Sequence, residues 1–259
     1  MSLFMVAHGA WSAGWAWKKM HPLMLERGHR LITPTYTGLG ERAHLAHPGI
    51  DLETHIADVV GVLDAEDLHD VVLIGHSYGG MVATGVADRA RERIVALVYI
   101  DALAPRDDES VFDLLPPDAR AQRRPVASGG GEAWQIPPGP MPADTSDADR
   151  AWAEPRRKPQ PVKTFEQKLR LHRGEPGMPR HYIYCLKQTP DDRFRQFYDR
   201  AGREGWSRYT IEASHNPHIT AAQALAELLD RIAAAVSVRS TPTGSPQRVP
   251  PTTSAVATR

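Results

Sequence analysis

Val71-Val72-Leu73-Ile74-Gly75-His76-Ser77-Tyr78-Gly79-Gly80-Met81-Val82-Ala83-Thr84 is the stretch on which the reading of this chain turns. Its first four residues are apolar without alternation, as in a parallel strand buried on both faces. Met81 to Thr84 begins a helix, and between the two lies Gly75-His76-Ser77-Tyr78-Gly79, a G-x-S-x-G pattern. A strand that turns abruptly into a helix holds its serine in a strained backbone conformation. Bulky neighbours two residues away would collide with that turn, and glycines at 75 and 79 remove the collision. The serine Oγ then stands above the sheet, over a helix N-terminus that favours negative charge. A glycine-rich turn without chemistry is the simpler alternative, and the apolar strand and helix on either side argue against it.

Outward from this unit, short apolar runs alternate with longer amphipathic stretches, the mark of a parallel sheet covered by helices. Strands are expected at Leu3–Ala7, Leu31–Thr33, Val71–Ile74, Val95–Ile100, Tyr182–Cys185 and Tyr209–Ile211, and helices near Trp17–Glu26, Leu52–Ala65, Gly79–Ala90, Arg193–Ala201 and Thr220–Ala235. The alternation breaks at about 105–179, a proline-rich stretch with a Ser128-Gly129-Gly130-Gly131 run. Its spaced aromatics Phe112, Trp134, Trp152 and Phe165 favour a lid that packs over a disordered loop. The expected organisation is one α/β domain over 1–236 with this insertion, then a disordered tail over 237–259.

The chain has 259 residues, 41% of them apolar, with 31 basic residues balancing 31 acidic ones. That balance offers no global field for nucleic acid or an anionic lipid surface. A single cysteine, Cys185, excludes an internal disulfide. The first apolar run, Leu3-Phe4-Met5-Val6-Ala7, is too short for a signal sequence, and no run approaches the roughly 20 residues that span a bilayer. A cytoplasmic protein is expected; oligomeric state stays open.

A serine nucleophile needs a general base, an acid to orient it, and donors for the oxyanion. Tyr78 N–H, directly after the serine, is one donor, and Ala10 N–H in His8-Gly9-Ala10-Trp11, after the first strand, is the other. Of the twelve histidines, His215 follows the last strand and precedes the last helix, which puts it at the C-terminal edge of the sheet. His172 falls in the insertion, His181 begins a strand at the wrong edge, and His218 reads as a surface or helix-start residue. The pairs His215/His218 and His44/His47 have no partner at metal-ligand spacing, so neither a metal nor another cofactor is expected. The acid is Asp101 at the end of the fourth strand, or Asp191 or Asp192 after the fifth, with Asp101 preferred.

These residues resemble the α/β-hydrolase superfamily over about residues 1–236, and within it the subgroup of plant methyl-ester esterases, hydroxynitrile lyases and bacterial pyrethroid-type carboxylesterases. The resemblance rests on His8-Gly9-Ala10-Trp11 with Gly14-Trp15 and Trp17, on Gly75-His76-Ser77-Tyr78-Gly79-Gly80, and on Ala213-Ser214-His215-Asn216-Pro217. It implies an α/β-hydrolase fold and acyl-transfer chemistry. Two departures matter. The plant members carry their acid where this chain has Gln188, whereas some haloalkane dehalogenases carry it at the position of Asp101. The lyases have threonine in place of Gly9 and lysine in place of Asn216. The expected function is a serine carboxylesterase acting on a small apolar or aromatic ester, with Trp11, Tyr78, Phe112 and Trp134 as pocket walls. A ligand-binding receptor on the same scaffold and a lyase are the competing readings.

Overall fold

The computed structural model describes residues 1–123, 125, 133–188 and 192–240. Eight strands occur in chain order: β1 (Leu3–Ala7), β2 (Arg30–Ile32), β3 (Val71–His76), β4 (Ile94–Ile100), β5 (Gln135–Ile136), β6 (Gln160–Pro161), β7 (Arg180–Cys185) and β8 (Ser207–Ile211). Six of them form one parallel sheet in the spatial order β2-β1-β3-β4-β7-β8, and β5 and β6 form a separate antiparallel ribbon. The helices are α1 (Met20–Glu26), α2 (Leu52–Ala65), α3 (Gly79–Arg89), α4 (Val111–Leu114), α5 (Pro117–Ala121), α6 (Asp147–Ala153), α7 (Lys163–Glu166), α8 (Arg195–Arg203), α9 (Pro217–Thr220) and α10 (Ala222–Ser240).

The period of two along β3 explains the layers. Val71 and Leu73 face a core shared with α2, α3 and α8, while Val72 and Ile74 face a second core shared with α1 and α10. Every residue of β3 is therefore buried, and the run without alternation is a strand covered on both sides. The helix expected over Trp17–Glu26 is split into a 3₁₀ turn at Gly14–Trp17 and α1. Pro22 is the reason: it lacks an N–H and is tolerated only in a first turn, so the helix starts at Met20. At the other end α10 continues to Ser240, past the boundary expected at 236, and the first proline beyond is Pro242. Residues 241–259 of the expected tail, and the Ser128–Gly131 run, lie outside the described residues.

The insertion joins β4 to β7 and carries α4, α5, the β5–β6 ribbon, α6 and α7. Its aromatics do pack: Trp152 meets Trp15 edge-on at 5.2 Å, and Phe165 stacks on Tyr78 at 5.6 Å. Among the described residues no helix is long and apolar enough to cross a membrane. Because the strands are parallel, the segments that leave β1, β3, β4, β7 and β8 all emerge at one edge of the sheet, where such folds place their sites.

Candidate active site

The turn after β3 is as tight as its glycines suggest. Ser77 has φ 55°, a left-handed conformation that a residue with a Cβ adopts only when its surroundings enforce it. A Cβ on Gly79 would sit 2.0 Å from the carbonyl oxygen of Ala7, one on Gly80 1.8 Å from that of Leu103, and one on Gly75 2.8 Å from Gly80 Cα. These are backbone contacts that cannot yield, so β3, β1 and the β4 exit are packed against the elbow itself.

His215, on the loop between β8 and α9, brings Nε2 to 2.9 Å from Ser77 Oγ, and its Nδ1 lies 2.8 Å from Asp101 Oδ2. Nδ1 must donate to the carboxylate, which leaves Nε2 to accept the serine hydroxyl. Asp101 is fully buried, itself left-handed at φ 43°, and directly follows β4. Its carboxylate also accepts the N–H of Cys185 at 3.3 Å and the Gln188 amide at 3.0 and 3.2 Å. Gln188 thus braces Asp101. The Phe194 ring stacks on His215 at 4.7 Å. Of the two other candidate acids, Asp191 lies outside the described residues. Asp192 is turned away: it accepts the Tyr184 hydroxyl at 2.5 Å and the N–H groups of Phe194 and Arg195 at 3.0 and 3.1 Å, so it serves the start of α8.

The expectation that His218 is a surface residue is overturned. It is buried, stacked on Trp17 at 4.6 Å and edge-on to His76 at 4.7 Å, because the short α9 is pressed against the Gly14–Trp17 turn. His218 belongs to a set of buried histidines around the site that the sequence alone does not reveal. His76 Nε2 donates to the His215 carbonyl at 2.7 Å, and His8 Nδ1 donates to that of Gly9 at 2.9 Å. His55 Nε2 donates to the Thr37 carbonyl at 3.2 Å, leaving its Nδ1 to accept the Tyr78 hydroxyl at 3.0 Å. Burial lowers His8 to about 4 and His55 and His218 to about 3, and drives His76 well below the ordinary histidine value. These rings are neutral at ordinary pH and serve as fixed hydrogen-bonding groups.

Ala10 and Tyr78 both line the cavity beside Ser77, and among the described residues neither backbone N–H is spent on an internal hydrogen bond. The loop that carries Ala10 is held from the insertion. Trp11, left-handed at φ 60°, donates its N–H to Gln160 Oε1 at 3.1 Å and its indole N–H to the Ile136 carbonyl at 2.8 Å, and accepts from Lys158 N–H at 3.2 Å. The insertion also reaches the histidine loop, where Asp144 accepts Ser214 N–H at 3.1 Å and the Ser214 hydroxyl.

A cavity of about 580 Å³ opens over Ser77, lined in part by Trp11, Trp15, Leu103, Val111, Phe165 and Phe194. Of the four expected walls Trp11 and Tyr78 are there. Phe112 and Trp134 are not among the lining residues: Phe112 packs edge-on against Phe165 at 5.8 Å, and the half-buried Trp134 packs against the core. Their apolar area is used to seat the insertion, and Phe165 takes the wall position instead. Spacing in a proline-rich stretch carried no signal for choosing among these aromatics. Among the described residues no three His, Cys, Asp or Glu side chains gather as a metal-ligand set.

Residues 4–228 match the alpha/beta hydrolase family, to which the chain belongs. It is 38% identical to a carbendazim hydrolyzing esterase of Nocardioides sp. (strain SG-4G), over 88% of this chain and 98% of that protein. Over a shorter span, 42% of this chain and 41% of the relative, it is 27% identical to the polyneuridine aldehyde esterase of Rauvolfia serpentina. Among solved structures, an extracellular α/β-hydrolase from a Paenibacillus species superposes with a TM-score of 0.75 at 24% identity, over 89% of this chain and 98% of that one. A pyrethroid hydrolase superposes with a TM-score of 0.71 at 22% identity, over 92% and 99%. At such identities these two likenesses speak for the fold alone.

Proposed function

We propose that the protein is a serine carboxylesterase in which Ser77 is the nucleophile, His215 the general base and acid, Asp101 the residue that orients His215, and Ala10 and Tyr78 the oxyanion donors. The observation that carries this reading is the unbroken relay from Ser77 Oγ through His215 to a fully buried Asp101, at the floor of a largely apolar cavity. The esterase relatives support the same chemistry.

In the forward reaction the substrate carbonyl seats over Ser77. His215 Nε2 takes the hydroxyl proton as Oγ bonds to the carbonyl carbon. The charge that develops on the carbonyl oxygen is met by the two N–H groups and the N-terminus of α3. The imidazolium faces Asp101, whose carboxylate stabilises it and holds the ring in the required tautomer. His215 then protonates the leaving alkoxide, and the alcohol departs from an acyl-enzyme on Ser77. Water, deprotonated by His215, attacks the acyl carbon, and the adduct collapses to the acid as His215 returns the proton to Ser77 Oγ. The aromatic walls suit a small apolar or aromatic ester.

The lyase reading meets a steric obstacle. A Cβ on Gly9 would lie 2.9 Å from His76 Nδ1 and 3.3 Å from Ser77 Cβ, so the threonine of the lyases has no room beside this elbow. Stopped-flow hydrolysis of p-nitrophenyl acetate and butyrate tests the esterase reading. A burst of nitrophenol equal to the enzyme concentration supports an acyl-enzyme; tight binding of ester without turnover contradicts it and favours a receptor.

A further inference from the structure

The cavity over Ser77 is apolar in most of its walls, yet Arg123, Arg157, Lys187 and Arg193 also line it. Among the described residues that line it there is no aspartate or glutamate. Lys187 is exposed, and the Arg123 guanidinium lies over the Trp11 ring at 4.8 Å.

Arg157 is the informative member. It sits three residues ahead of Gln160, on the segment whose Lys158 and Gln160 hold Trp11 beside the proposed oxyanion donors. It is half-buried, donates through Nη1 to the Gly139 carbonyl at 2.6 Å, and forms no ion pair among the described residues. The acid that acts on it, Glu154, is exposed and paired with Arg150 at 3.5 Å. Burial accordingly holds the guanidinium below its ordinary value, with Glu154 opposing. A guanidinium drawn out of water without a counter-ion is costly, and a carboxylate that accepts two of its N–H groups is the partner that best offsets that cost.

We infer that the ester this cavity takes carries a carboxylate remote from the scissile bond, bound by Arg157 with the exposed Lys187 on the same cavity wall. The inference rests on the esterase reading of Ser77 and names a substrate class for it: a half-ester of a dicarboxylic acid, or an ester of a hydroxy acid, with an apolar body.

Two matched pairs of probes test it, one for each side of the ester bond: mono-4-nitrophenyl adipate against 4-nitrophenyl hexanoate, and 4-carboxyphenyl butyrate against 4-methylphenyl butyrate. In at least one pair kcat/KM should favour the anionic ester about tenfold or more, the scale of one charge-assisted hydrogen bond. The preference should shrink as ionic strength rises, fall to about threefold or less in Arg157→Gln through KM, and persist in Arg157→Lys. Preference for the neutral member in both pairs, or an anionic preference that survives Arg157→Gln, overturns the inference and leaves the esterase standing. If none of the four esters is turned over, the inference fails together with the esterase reading. If Arg157→Gln does not fold, the wild-type ratios and their salt dependence decide alone.

Discussion

The β3–α3 turn and the 105–179 insertion both build the candidate site, by opposite means. The turn works through steric exclusion among near neighbours: glycines at 75, 79 and 80 admit backbone contacts that no side chain permits, and Ser77 is held left-handed. The insertion works through hydrogen bonds between residues far apart in the chain, Gln160 to Trp11 and Asp144 to Ser214, which anchor the loops bearing Ala10 and His215. A steric constraint is written in contiguous residues, whereas a tertiary hydrogen bond leaves no local mark. The first region is therefore readable at sight and the second only once folded.

The comparison is sharpened most by the acid. Asp101 sits at a turn directly beyond β4, on the body side of the divide, and Asp101→Asn should lower kcat by about 10³–10⁴-fold by stabilising the wrong tautomer of His215. Asp192→Ala, which loosens the start of α8, should leave kcat within about threefold while costing about 1 kcal/mol of stability. A reversal of these two effects in steady-state kinetics moves the acid to the other loop.

The next effect belongs to the insertion. Gln160→Leu removes the acceptor that holds Trp11 N–H, and should cut kcat about tenfold with little change in KM, a fraction of the cost of deleting an oxyanion donor. Gln160→Glu keeps an acceptor oxygen and should recover most of the loss. If Gln160→Leu raises KM alone, the insertion acts as a wall and does not position the oxyanion loop.

A further effect is on pH-dependent stability. His8, at about 4, and His55 and His218, at about 3, lie below their unfolded value of 6.5, so between these limits the unfolded chain binds more protons than the folded one. Their contribution is thus fully present above about pH 6.5 and is lost as pH falls toward 4 for His8 and toward 3 for His55 and His218, at roughly 1.4 kcal/mol per pH unit for each histidine. Tm should decline from pH 6.5 to 5, less steeply in His55→Gln. A Tm constant over that interval contradicts the neutral assignment of these rings.

Much of the site was legible because parallel strands deliver their C-terminal ends to one edge. Ser77, Asp101 and His215 each follow a strand whose apolar run is plain, and the structure brings them within hydrogen-bond reach. Asp101 was harder to choose, since nothing local separates it from Asp192; the Gln188 amide that braces it comes from 87 residues further along the chain. The walls were misread at Phe112 and Trp134 because an aromatic that seats an insertion and one that lines a cavity have the same sequence signature. His218 was misread because its burial depends on α9 docking against Trp17.

The most direct test of the account is the mass of the protein after incubation with a fluorophosphonate probe, followed by peptide mapping. The account predicts one adduct per chain, located on Ser77 and absent from Ser77→Ala, together with loss of ester hydrolysis in both the labelled protein and the variant. An adduct on another residue, or ester hydrolysis that persists in Ser77→Ala, would contradict it.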